Sequence, residues 1–149
     1  MALSPQSIEF RNRREAVFYL IFESLFSDCS PEEILETAES VDNFDVDKKA
    51  RKRFLAICEK ADELDKLIAE FSEKRVLERV PKISTAILRQ AFYEILYDPK
   101  THENIAISEA VRLATDFTLE ADIKFINGVL GNFVRNRKSE TPETTEAQA

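Results

Sequence analysis

The chain has 149 residues, with 21 basic and 28 acidic side chains, one His, two Cys, two Gly and no Trp, for a formal net charge of −7. Hydrophobic residues make up 44% and charged residues 33%, the balance of a globular domain with a core rather than of a disordered chain. So few glycines exclude hairpin-rich β folds, dinucleotide-binding turns and Gly-rich phosphate loops, which use Gly where φ is positive. The longest apolar run, Ala16 to Phe22, is far short of the ~20 residues that span a bilayer, and no basic-then-apolar leader opens the chain. A soluble cytoplasmic protein without a membrane partner is expected. Cys29 and Cys58 lack CxxC spacing, so with a single His no metal site or cofactor is expected. Cys58 reads as a small buried hydrophobe and Cys29 as an exposed thiol.

The hydrophobic pattern is helical throughout, which predicts an all-α fold. A first helix, about 8–27, carries Val17, Phe18, Ile21, Phe22, Leu25 and Phe26 at three- and four-residue spacing. Ser30-Pro31-Glu32-Glu33 restarts the helix with an N-cap, a Pro at the first position and acids in the first turn. Ile34, Leu35, Ala38 and Val41 face inward there, and Asn43 to Asp45 breaks it. A long stretch kinked near Glu63 then buries Phe54, Leu55, Cys58, Ala61, Leu64, Ile68 and Phe71. Arg79-Val80-Pro81-Lys82 is the main interruption, dividing a subdomain of about 8–79 from one of about 80–138. Ser84 is expected to cap a helix with Ile87, Leu88, Ala91, Ile95 and Leu96 inward, ended by Asp98-Pro99-Lys100. Helices of about 103–116 (Ile107, Val111, Ala114 inward) and 120–135 (Ile126, Val129, Leu130, Phe133 inward) follow. The acidic segment 139–149 is expected to be a disordered tail.

Nothing in the pattern resembles an active site. Carboxylates fall at exposed helical spacings, and His102 lies in a loop without a Ser or Cys partner, so no catalytic residues are expected. Charge is more informative when divided along the chain. Residues 124–138 carry four bases and no acid, and the three bases of residues 1–27 bunch as Arg11, Arg13 and Arg14. A helical wheel puts Arg14 in line with the Val17/Phe18/Ile21/Leu25 stripe, as if the helix end projects past the bundle. These arginines are either snorkelling side chains or a phosphate-contacting cluster. On the last helix Phe125 lies about 100° from the core stripe, and Lys124 points nearly opposite that stripe. An aromatic beside Lys124 and Asn127 offers RNA a stacking plane, a phosphate contact and a base-edge amide; equally, Phe125 could fill a groove to a neighbouring helix. The run Lys48, Lys49, Arg51, Lys52, Arg53 points all around its helix and reads as a solvated charge run.

Several segments resemble the NusB family. Arg14-Glu15, Val17-Phe18 and Ile21-Phe22-Glu23 resemble its opening helix. Ala86 to Leu96 (AILRQAFYEIL) resembles its AILRxAxYELL helix, Ile105 to Ala114 its VAINEAVELA segment, and Lys124 to Leu130 (KFINGVL) its KFVNGVL run with one conservative change. The match covers roughly residues 10–135 in order. It implies about seven helices in two subdomains and a transcription antitermination factor without enzymatic activity. The implied partners are boxA-type RNA of nascent ribosomal transcripts, the ribosomal protein NusE and, through them, the RNA polymerase antitermination complex. By position, Arg11, Arg13, Arg14, Lys124, Phe125 and Asn127 fall in the RNA-contacting region, and Phe22, Phe26 and the helix start at Ser84 on the NusE face. Ser84 stands where an acidic residue is usual, Ser108 where Asn is, Thr115 where Lys is and Thr118 where Gly is.

Two other classes fit a NusB-like sequence. One is a helical adaptor that keeps the fold without binding RNA. The other is the RNA-binding domain of a ribosomal RNA cytosine methyltransferase, although no glycine-rich cofactor loop or nucleophilic Cys motif is present. Monomer and homodimer are both compatible with the pattern.

Overall fold

The computed structural model describes residues 5–40, 46–72 and 77–140, with side-chain surroundings for 11–40, 46–72 and 78–138. These form seven α-helices: α1 Pro5–Ser24, α2 Pro31–Glu39, α3 Lys48–Glu59, α4 Ala61–Phe71, α5 Lys82–Tyr97, α6 Glu103–Phe117 and α7 Glu120–Glu140. No strand occurs among the described residues, so the expected all-α class holds. Among them, too, no helix is long and apolar enough to cross a membrane.

Helix starts follow local chemistry. Ser30 Oγ accepts the Glu33 amide at 3.2 Å while Glu33 Oε1 accepts the Ser30 amide at 3.1 Å, completing the capping box of α2. Asp47 caps α3 by accepting the Ala50 amide at 2.7 Å. His102, expected to be a solvent-exposed loop residue, is exposed and also caps α6, its Nδ1 accepting the Asn104 amide at 3.0 Å.

Helix α5 is the axis of the molecule, packing on α1, α3, α4, α6 and α7. Ile87, Leu88, Ala91 and Phe92 on it are all buried, and core residues from all seven helices form one cluster around them. The interruption at Arg79-Val80-Pro81-Lys82 coincides with a 3-10 turn, Leu77–Arg79, and the start of α5. Along α7, Ile126, Val129, Leu130 and Phe133 are buried as their spacing predicts. Phe133 meets Phe71 and Phe92 edge-on, at 5.2 and 4.9 Å between ring centroids, tying α7 to α4 and α5.

Several expectations need correction, among them the burial of Leu55, Cys58 and Ala61, which are only half-buried. The long kinked stretch is two helices, broken at Lys60 rather than bent near Glu63. Ser84 does not cap α5: the helix begins at Lys82, Pro81 is its cap without a side-chain bond, and Ser84 is fully buried one turn in. On α6 the buried apolar positions are Ala106, Ala110, Leu113 and Ala114, while Ile107 and Val111 are only half-buried. α1 ends at Ser24, before Phe26, which is left 64% exposed. The expected burial of Val41, the break at Asn43 to Asp45 and the chain beyond residue 140 lie outside the described residues.

Candidate nucleic-acid interface

The arginines of α1 do not project past the bundle. Arg14 follows the core stripe inward, and its side chain is only 15% exposed. Its Nε donates to Glu94 Oε1 on α5 at 2.8 Å, and its Nη1 lies 3.6 Å from Glu109 on α6. Burial pushes the Glu94 carboxyl above its ordinary value, and the adjacent Arg14 guanidinium only partly offsets this. Gln90 adds a bond from its amide to the Arg14 carbonyl at 3.1 Å. Arg11 Nε sits 3.5 Å from Glu109, and Arg13 Nη2 donates to Asp47 at 3.1 Å. Burial alone would raise Asp47, but the Ala50 amide and the Arg13 guanidinium outweigh it and hold this carboxyl below its ordinary value. On α6, Arg112 completes the clamp by bonding Glu15 at 3.0 Å and Glu109 at 3.2 Å. The polar contacts between α1, α5 and α6 are thus largely arginine–carboxylate pairs, with Glu109 facing Arg11, Arg14 and Arg112.

All three α1 arginines line one groove of about 1000 Å³. Its other walls carry Lys49, Lys52 and Arg53 from α3 and Lys100 from the turn between α5 and α6. Part of the run read as solvated charge therefore faces the same space as the arginine cluster. Arg51 points elsewhere and pairs with Glu39 on α2. Asp98 anchors the turn, accepting from Arg53 Nη2 at 2.9 Å, Thr101 Oγ1 at 2.9 Å and the Lys100 amide at 3.0 Å. Burial would raise the Asp98 carboxyl; these bonds outweigh it and hold it low.

Lys124, Phe125 and Asn127 are not among the groove's lining residues. They belong to α7, which packs on α4, α5 and α6. Lys124 is highly exposed, with Nζ 3.4 Å from Glu120, a solvated pair that contributes little. Asn127 and Gly128 are exposed, and a methyl group added at Gly128 would meet nothing within 4 Å. Phe125 is half-buried and packs against the core cluster, so its ring fills part of a groove between helices and leaves part of its surface accessible.

Phe22 and Phe26 come together at the end of α1, edge-to-face at 5.0 Å, and Lys82 Nζ lies 5.3 Å from the centre of the Phe26 ring. The aromatic row continues inward from Phe22 to Phe18 and then outward to Phe117, which is 37% exposed. Ser84 is near this region in sequence, but its hydroxyl is buried without a hydrogen-bond partner, so it offers a partner no contact in this conformation. Lys82 is the exposed residue of the helix start instead.

A helical wheel cannot reveal Lys49, Lys52, Arg53 and Lys100 as neighbours of the α1 arginines, because α3 and the α5–α6 turn supply them. The two buried carboxylates that hold Arg14 are equally hidden; the only signal for them is a Glu within each apolar helical stretch. Among the described residues, no group of three His, Cys, Asp or Glu side chains could hold a metal ion. Cys29 is exposed, and burial pushes the half-buried Cys58 thiol up to about 11, leaving it inert at neutral pH.

The model of the NusB family matches residues 11–135. The transcription antitermination protein NusB of Oceanobacillus iheyensis is 31% identical over 121 residues, covering 81% of this chain and 94% of that protein. That of Desulforudis audaxviator is 28% identical over 135 residues, covering 89% and 98%. A solved structure of T. maritima NusB superposes with a TM-score of 0.74 at 34% identity, over 84% of this chain and 89% of its own. With seven helices in the same arrangement and a family match across nearly all of the described residues, the chain belongs to the NusB family of transcription antitermination proteins.

Proposed function

We propose that this protein is a non-catalytic cytoplasmic factor that binds boxA-type RNA of nascent ribosomal transcripts together with NusE, and joins the RNA polymerase antitermination complex through them. The observation that carries this reading is the division of labour along Lys124 to Leu130. Ile126, Val129 and Leu130 are buried, whereas Lys124, Asn127 and Gly128 stand exposed with no part in the core. Lys124, Asn127 and Gly128 share one exposed face of α7 and the half-buried Phe125 lies at its flank, which suits single-stranded RNA with Lys124 on phosphate, Phe125 under a base and Asn127 at a base edge. Arg11, 39% exposed, is the α1 arginine best placed to reach phosphate; Arg13 and Arg14 would do so while keeping their carboxylate partners. For NusE the candidate surface is Phe22 and Phe26 with Lys82, an apolar patch rimmed by charge.

The test is a titration of boxA-like RNA against a scrambled RNA of equal length, with NusE present. At least roughly tenfold tighter binding of the boxA-like strand is expected, about 1.4 kcal/mol; equal binding overturns the reading. One observation favours a second reading, a helical adaptor that keeps the fold without binding RNA: Arg11, Arg13 and Arg14 all face carboxylates. Loss of all measurable RNA binding with NusE binding retained would establish it.

A further inference from the structure

We propose that the groove between α1, α3 and the α5–α6 turn extends the RNA-backbone surface of the α1 arginines, with Lys49, Lys52 and Lys100 holding further phosphates of the same strand. This inference rests on the RNA-binding reading above and adds three residues to it. The charge balance of the groove carries it. Each of its four arginines has a carboxylate within ion-pair distance: Arg11 with Glu109, Arg13 with Asp47, Arg14 with Glu94 and Arg53 with Asp98. Those four carboxylates include every acid that lines the groove. The three lysines that line it are exposed, and none forms an ion pair among the described residues. An acidic protein thus keeps one concave surface in which all the acid is already matched by arginine and three further cations stand exposed, of which Lys49 also acts on Asp47 from beyond ion-pair distance. Lysine suits such a site, being a mobile point charge that meets phosphate without a fixed angle.

The same groove offers little that could read a base. Tyr93 is its aromatic side chain, but the Arg53 guanidinium sits 5.2 Å from the ring centroid and Tyr97 packs 5.2 Å away. Both neighbours compete with a base for the ring. The site should therefore add affinity without sequence preference, as phosphate contacts do. It would lengthen the footprint of the RNA rather than sharpen its specificity.

The experiment compares the full-length protein with a Lys49→Gln/Lys52→Gln/Lys100→Gln variant, with NusE present, on a short boxA-like RNA and on the same RNA extended at both ends. All three positions are exposed and outside the ion pairs of the groove, so the variant should melt with the parent. Each lost phosphate contact on a single strand reduces the slope of log K against log salt by about 0.7. The slope on the long RNA should therefore fall by about two, with at least roughly tenfold weaker binding at moderate salt. That loss should be the same whatever the sequence of the extensions, and the short RNA should be unaffected. An unchanged slope on the long RNA overturns the proposal while leaving boxA binding intact, and would be the outcome if an acidic protein segment filled the groove instead. If the unmodified protein binds neither RNA, both this inference and the reading beneath it fail.

Discussion

Arg14 on α1 and Glu94 on α5, eighty residues apart in sequence, are joined by a 2.8 Å hydrogen bond largely shielded from bulk water. Glu94 is 3% exposed, and a carboxylate so placed depends on its counter-charge. The pair holds the N-terminal helix against the central one, at the wall of the basic groove.

Arg14→Ala should therefore act first on stability. Removing one partner of a buried pair costs about 3–5 kcal/mol, because the remaining charge is uncompensated. The pH dependence gives the signature. Burial already holds the Glu94 carboxyl above its ordinary value of 4.5, and loss of Arg14 raises it further. A raised acid contributes stability that is fully present below its unfolded-state value and lost as pH rises through the folded one. The deficit of Arg14→Ala should be largest at neutral pH and shrink toward about pH 4, and Glu94→Gln in the same background should recover part of it. Chemical denaturation from mildly acidic to neutral pH checks this; a constant deficit would mean that Glu94 is not the group left exposed to the loss.

Phe125→Ala separates packing from stacking. Truncating a fully buried Phe costs about 3–5 kcal/mol, and this half-buried ring should cost about half as much in melting experiments. As a stacking plane it should also lower RNA affinity by about 1–3 kcal/mol with the salt slope unchanged. A destabilised variant whose folded fraction binds RNA at full strength would assign Phe125 to packing alone.

Gly128 is costly in mid-helix and unneeded by its neighbours. Gly128→Ala should raise stability by about 0.5–1 kcal/mol, since the added methyl meets nothing within 4 Å. If RNA approaches this face closely, the same methyl should weaken binding several-fold. Stabilisation with RNA affinity unchanged would place the strand away from this turn of α7.

Much of the fold is legible in the sequence because core and helix periodicity agree. Ile126, Val129, Leu130 and Phe133 form a stripe that any neighbouring helix would bury, and Ser30 with Glu33 carries its cap within four residues. Where small residues form the seam the stripe misleads: Ala106 and Ala110 allow close packing on α6, while the bulkier Ile107 and Val111 sit at its flank. The break at Lys60 has no Gly or Pro to announce it. The surroundings of Arg14 are illegible for another reason. A wheel shows that its direction is inward, but Glu94 and Glu109 arrive from helices whose placement is a property of the whole packing. The same holds for the groove, whose cations come from α1, α3 and a turn, and which no local window contains.

If RNA recognition by this acidic protein is shared with a basic partner, one boxA-like RNA titrated with and without NusE should report it. The net charge of −7 opposes phosphate approach everywhere except at local basic sites. A basic ribosomal protein bound beside them would extend the positive surface. Affinity should rise at least roughly tenfold, about 1.4 kcal/mol, when NusE is present. Equal affinity in both titrations would contradict shared recognition and describe a protein that binds RNA on its own.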